Sequence, residues 1–96
     1  MTVDQEAKNL LLREEVIAYY NNDQMSAQYY KIDDKYDGEY KQWHENGQLW
    51  VYCFYKNGEK DGKFKRWFEN GQLFQYCFYK DGVLIKDYFH DNRPTS

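Results

Sequence analysis

Cys53, Cys77, His44 and His90 are the residues with the most chemistry to offer in this chain of 96, which has two cysteines and two histidines in all. Zinc would be the natural ligand for such a set, but no C-x-x-C or H-x-x-x-H spacing is present, and those spacings are what let one turn supply two metal ligands. His44 occupies a position that Phe68 fills 24 residues later, so a plain aromatic serves there equally well. The reading is therefore no metal and no cofactor. Catalysis has less support still. The serines are Ser26 and Ser96, neither in a nucleophile motif, and no glycine-rich phosphate loop occurs. The carboxylates recur as spacers between lysines or flank turns. No acid, base and nucleophile converge, and the expectation is a protein that is not an enzyme.

What could position these residues is written into a repeat. Residues 37–60, DGEYKQWHENGQLWVYCFYKNGEK, and 61–84, DGKFKRWFENGQLFQYCFYKDGVL, are identical at 15 of 24 positions without a gap. A fixed period of this length marks a repeat array. A weaker copy precedes them over 13–36, in which Asp23 stands where the others have Gly47 and Gly71, and a partial one follows over 85–93, where FHDN echoes WFEN. Degenerate ends are expected of an array, since they meet water instead of another repeat. The boundaries predicted are a cap at 1–12 and a repeat domain at 13–96.

Asn46-Gly47 and Asn70-Gly71 lie between aromatic-rich runs. Asn-Gly predicts a two-residue type I′ turn, with both residues at positive φ. Each copy is then a β-hairpin, a second turn within 56–62 leads to the next, and all six glycines are read as turn punctuation. This turn predicts a register. Glu45 faces Gln48. One face carries Trp43 opposite Trp50, Lys41 opposite Tyr52 and Glu39 opposite Phe54. The other carries His44 opposite Leu49, Gln42 opposite Val51 and Tyr40 opposite Cys53. The next copy gives Trp67–Phe74, Lys65–Tyr76 and Lys63–Phe78 on the first face, and Phe68–Leu73, Arg66–Gln75 and Phe64–Cys77 on the second. The first copy adds Tyr20–Met25, Ala18–Ala27 and Val16–Tyr29 to the second. A slip of one residue would exchange the faces.

The second face is small and aliphatic enough to be a core; the first, of Trp, Tyr and Phe interleaved with Lys and Glu, suits a wet contact surface. Cys53 and Cys77 would sit two strands, about 9–10 Å, apart, too far for a disulfide, which needs Cα atoms within about 7 Å. They are predicted to be free, buried thiols. Something should cover the aliphatic face, because a bare single-layer sheet is a poor fold. A short helix over Asp4–Leu12, a lid on the first strand, or a partner subunit could do so.

Composition agrees. Twenty of 96 residues are aromatic, 11 of them Tyr, which favours strands over disorder. The net charge of −3 lies within residues 1–36, while 37–96 balance at nine acids and nine bases. That leaves no basic excess for a phosphate backbone, so nucleic acid is disfavoured as a partner. Lys41, Lys63 and Lys65 alternate with glutamates and would hold anionic lipid weakly. No run of about 18 apolar residues exists to span a bilayer. The segment MTVDQEAKNLLLREE lacks the pattern of a signal peptide, and Thr2 stands where myristoylation needs Gly. A cytoplasmic location is expected.

The segment DGKFKRWFENGQLFQYCFYKDG resembles the MORN-repeat variant, whose copies run through Gly, aromatics, ENGQL and a Tyr-Lys-Asp-Gly turn. The resemblance covers residues 14–89. The first copy departs from the pattern in lacking the turn glycine, and the Tyr-Glu-Gly-Glu-Trp opening of standard MORN repeats is absent. The resemblance implies an all-β, elongated antiparallel meander of hairpins, about six to seven strands, without catalytic machinery. It implies protein–protein contact, scaffolding or membrane-proximal attachment. Similar repeats occur in bacterial antitoxin components, and the CFYKDG wording is similar to repeat proteins multiplied in giant DNA viruses, where the location would be the host cytoplasm or the virion.

The expected function is thus a non-enzymatic interaction module, with Trp43, Trp50, Tyr52, Trp67, Phe74, Tyr76, Lys41 and Lys65 contacting a protein partner. The competing reading is a structural or assembly component, a homo-oligomer whose aliphatic face is covered by another copy.

Overall fold

The computed structural model describes residues 12–91. They form seven strands: β1 (Glu14–Tyr19), β2 (Met25–Ile32), β3 (Lys35–Trp43), β4 (Leu49–Lys56), β5 (Glu59–Trp67), β6 (Leu73–Lys80) and β7 (Val83–His90). Each pairs antiparallel with its sequence neighbour in one sheet of order β1 to β7. This is the all-β meander expected, and no helix occurs among the described residues. Of the segment read as a helical cap, Asp4 to Leu11 lie outside the described residues, and Leu12 is exposed.

The turns differ from expectation in an instructive way. Type I′ geometry belongs to the turns between copies. Asp33 and Asp34, Asn57 and Gly58, and Asp81 and Gly82 all have positive φ, and each pair is closed by flanking partners such as Lys56 and Glu59. At the Asn46-Gly47 bend only Gly47 has positive φ. His44 N–H donates to Gln48 O at 2.9 Å and Gly47 N–H to His44 O at 3.0 Å. The loop therefore holds three residues, Glu45, Asn46 and Gly47: a type I turn closed by a left-handed glycine. Phe68–Gln72 and Tyr20–Gln24 repeat the pattern, with Asp23 at φ 69° filling the glycine's place. The predicted Glu45–Gln48 closure is replaced by His44–Gln48.

That extra loop residue would invert the faces of the whole hairpin. It does not, because a second irregularity cancels it. Trp43 pairs with Leu49 and Gln42 with Val51, so Trp50 bulges out between them. Phe74 bulges likewise between Trp67–Leu73 and Arg66–Gln75, and Ser26 between Tyr19–Met25 and Ala18–Ala27. Beyond the bulges the register is as predicted: Lys41–Tyr52, Tyr40–Cys53, Glu39–Phe54, Phe64–Cys77, Val16–Tyr29. The pairs Trp43–Trp50, Trp67–Phe74, His44–Leu49, Phe68–Leu73 and Tyr20–Met25 do not form. A bulge adds one residue to one strand and re-aims the side chain next to it.

Two of the six glycines are not turn residues. Gly38 and Gly62 lie inside β3 and β5 at φ 104° and 116°. There three residues of β3, between Tyr36 and Tyr40, oppose the single Tyr30 of β2, and β5 does the same to Phe54. A β-carbon on Gly62 would meet that Phe54 side chain at 3.6 Å. β7 has no glycine, and its extra residues enter at two separate places.

The sheet is thin, 16 Å across its least extent against 45 and 35 Å, so its core is one face. Val51, Cys53 and Cys77 are the buried hydrophobic residues, on the second face as expected. Rings roof them. Tyr29, Tyr36, Tyr40 and Tyr55 form a chain of contacts 5.1 to 5.5 Å apart. Phe64 meets Tyr79 at 5.8 Å, with the Lys60 ammonium over both. Ring packing of this kind, edge-on except for the stacked Tyr29–Tyr40 pair, buries area without a second layer. Both cysteines are free. Burial pushes the Cys53 thiol up to about 12, with Lys60 pulling weakly the other way, and raises Cys77 too.

Candidate interaction surface

Opposite the core lies an outer face in two ordered rows. Pairing across the sheet runs Ile17–Gln28–Lys41–Tyr52–Lys65–Tyr76–Phe89. The Lys65 ammonium sits 4.7 Å from the Tyr76 ring centroid and Lys41 5.9 Å from Tyr52, so the lysine stems lie along rings while their charges stay wet. In the adjacent row Glu15 pairs with Tyr30, Glu39 with Phe54, and Lys63 and Lys86 both with Phe78. Tyr52 Oη donates to Glu39 at 2.8 Å, and that bond to a carboxylate raises the phenol's pKa. Tyr30, Tyr52, Phe54, Tyr76 and Phe78 are half-buried on this face, and Phe89 at the end of the row is exposed.

Six of the eight sequence-named residues fall on this face: Lys41, Trp43, Tyr52, Lys65, Trp67 and Tyr76. Trp43 and Trp67 pair with Leu49 and Leu73, which brings two leucines to the side where none was expected. The other two residues are elsewhere. Trp50 stacks on His44 at 4.9 Å and is 39% exposed. Phe74 contacts Phe68 at 5.1 Å, His90 at 5.2 Å and the Arg66 guanidinium at 4.7 Å. Those neighbours belong to the core face, so Trp50 and Phe74 form its rim near the Asn-Gly loops. The single stripe read from the sequence is thus split between two faces. The cause is the bulge, which carries Leu49 and Leu73 one way and Trp50 and Phe74 the other.

The loops hold a second arrangement, one that pairing arguments missed. Asn46 Oδ1 accepts from Gln48 N–H at 2.9 Å within its own loop, while its Nδ2 donates to Glu69 O, 2.8 Å away in the next copy. Asn22 does the same toward Gln24 and Glu45. The Gln24 and Gln48 carboxamides lie over Gly47 and Gly71, within 3.4 Å of where a β-carbon would be. Tyr20 Oη donates to Trp43 O at 2.6 Å, and His44 Nε2 to Trp67 O at 3.0 Å. Consecutive hairpin ends are bolted together, which satisfies carbonyls that a meander otherwise leaves open at its rim. The sequence signal was available: polar tips at Tyr20 and His44, one period apart.

His44 is engaged in this ladder, and the cysteines lie under the rings. Among the described residues no three His, Cys, Asp or Glu side chains cluster to hold a metal ion. Burial also raises the phenols of Tyr40, Tyr55 (to about 12) and Tyr79, keeping the core uncharged.

Comparison with known proteins bears on residues 36–57 and 60–81, each of which matches the MORN repeat variant. No curated protein and no solved structure matches the chain.

Proposed function

We propose that these two MORN-variant repeats, with the hairpin before them and the strand after, make a non-enzymatic protein-interaction and scaffolding module that docks its partner on the outer face. MORN repeats commonly serve as protein- or membrane-contacting modules, and interaction is the coarse role this chain shares. The observation that carries the finer reading is the outer face itself. Trp43, Tyr52, Trp67 and Tyr76 stand half-buried there on rigid strands, interleaved with Lys41 and Lys65. Rings held by their neighbours lose little freedom on binding, which is what makes Trp and Tyr effective anchors. Two free thiols fit a reducing, cytoplasmic setting. An antitoxin-like or viral role would be a special case of the same activity, distinguished by the partner.

The test compares the two faces. Tyr52→Ser with Tyr76→Ser should abolish partner capture from the native cell while circular dichroism is unchanged. Trp50→Ser with Phe74→Ser, on the other face, should leave capture intact. The reverse pattern refutes the reading.

A further inference from the structure

We infer that the partner of the outer face is a second copy of this chain, laid face to face about a two-fold axis that runs along β4. The inference rests on the interaction reading above and names the occupant. β4 is the middle strand of seven. The row through Phe54, which passes through the irregularities opposite Tyr30 and Phe54, runs from β1 to β7 as Glu15, Tyr30, Glu39, Phe54, Lys63, Phe78, Lys86. Acids stand on one side of the centre and lysines on the other, each separated from the next by a ring. Rotation about β4 reverses the row. It places Glu15 over Lys86 of the second copy, Glu39 over Lys63, Tyr30 over Phe78 and Phe54 over Phe54, and every charged pair occurs twice. The positional equivalence sharpens this. Glu15, Glu39 and Lys63 occupy one position in three successive copies, at spacings of 24, so the sign changes across β4 where the repeat alone would have kept it.

The charges are set for an outside partner. Glu39 accepts from Tyr52 Oη and Glu15 from Gln28 Nε2 at 2.7 Å, which fixes both carboxylates on this face. Lys63 and Lys86 make no ion pair among the described residues, whose two bridges are Arg13–Asp37 and Lys80–Asp61; the Lys86 ammonium lies 5.6 Å from the Tyr88 ring centroid, whereas Lys63 has no such ring contact. Lys63 is exposed. A face of 45 by 35 Å has room for the roughly 800 Å² per partner that a stable dimer buries. Aligned packing of two sheets about 10 Å apart lets such side chains interdigitate. In the neighbouring row Lys41 comes over Lys65, and the cation–ring contacts with Tyr52 and Tyr76 draw both ammonium groups down onto their own sheet.

Sedimentation equilibrium of the full chain tests this. The wild type should be dimeric at about 10 µM. Lys63→Glu, a change at an exposed site, should weaken the dimer about tenfold or more, as like charges then face each other twice. Glu39→Lys should do the same. The double variant Glu39→Lys with Lys63→Glu recreates the opposite-charge pairs and should restore the dimer. A wild type that stays monomeric overturns the second-copy assignment, while the pull-down with the Tyr52 and Tyr76 variants still judges the outer face separately. A dimer indifferent to Lys63→Glu, or a double variant that does not recover, also overturns it.

Discussion

His44 Nε2 donates a hydrogen bond to the carbonyl of Trp67 across 3.0 Å, linking residues 23 apart in sequence, as the Tyr20 hydroxyl does to Trp43 at 2.6 Å. A carbonyl only accepts, so Nε2 carries a proton. His44→Phe, which copies the residue at Phe68, keeps a ring against Trp50 and loses the bond. It should cost about 1 kcal/mol in chemical denaturation. His44→Ala should cost more, because the stacking goes as well. Equal costs would mean the ring against Trp50 contributes nothing, and a His44→Phe variant as stable as the wild type would mean the same of the bond.

Glycine positions should rank by φ. Every non-glycine residue at positive φ lies between 49° and 69°, whereas Gly62 stands at 116°. Gly62→Ala should destabilise by about 1–3 kcal/mol, read from urea midpoints. Gly47→Asp should be much milder, since Asp23 already holds the equivalent place at 69°.

The buried thiols and phenols make alkali the weak flank. The folded pKa of Cys53 is raised from 9.0 to about 12, and that of Tyr55 from 10.0 to about 12, both first by burial. The unfolded chain loses these protons at lower pH than the folded one, so stability holds below pH 9 and falls as pH climbs toward 12. A denaturation series from pH 8 to 11 should show the midpoint dropping steadily above 9. Thiol reagents at pH 8 should label neither cysteine until the protein unfolds.

Deleting Trp50 should remove the bulge without moving the register, because Trp43–Leu49 and Gln42–Val51 become consecutive pairs. The expected product is folded, somewhat less stable for want of the ring on His44, and still protected at Cys53. Rapid labelling of Cys53 in the deletion variant would show that the bulge sets the faces by another route.

Much of this molecule is legible along the chain. The 24-residue period predicts the hairpins, and period-2 alternation predicts which of Val51, Cys53, Lys41 and Tyr52 share a face. Those are nearest-neighbour matters, decided by pleat and pattern. The Asn-Gly dipeptide was misleading because it is compatible with two loops. Asn57-Gly58 makes the tight one and Asn46-Gly47 the longer one. At Asn46 the side chain reaches Glu69 of the next copy, and no local rule contains that partner.

The amino-acid sequence by itself determined an antiparallel meander of hairpins and a core face holding two thiols. Tertiary structure decided where the alternation breaks. A bulge at Trp50 and another at Phe74 offset one residue in each preceding loop, so a register argument that errs at the turn comes right three residues later. The bond from Asn Oδ1 to the Gln N–H holds all three loops locally, and the contacts of one hairpin end with the next tie the first two to their neighbours, so loop and bulge occur together in every copy.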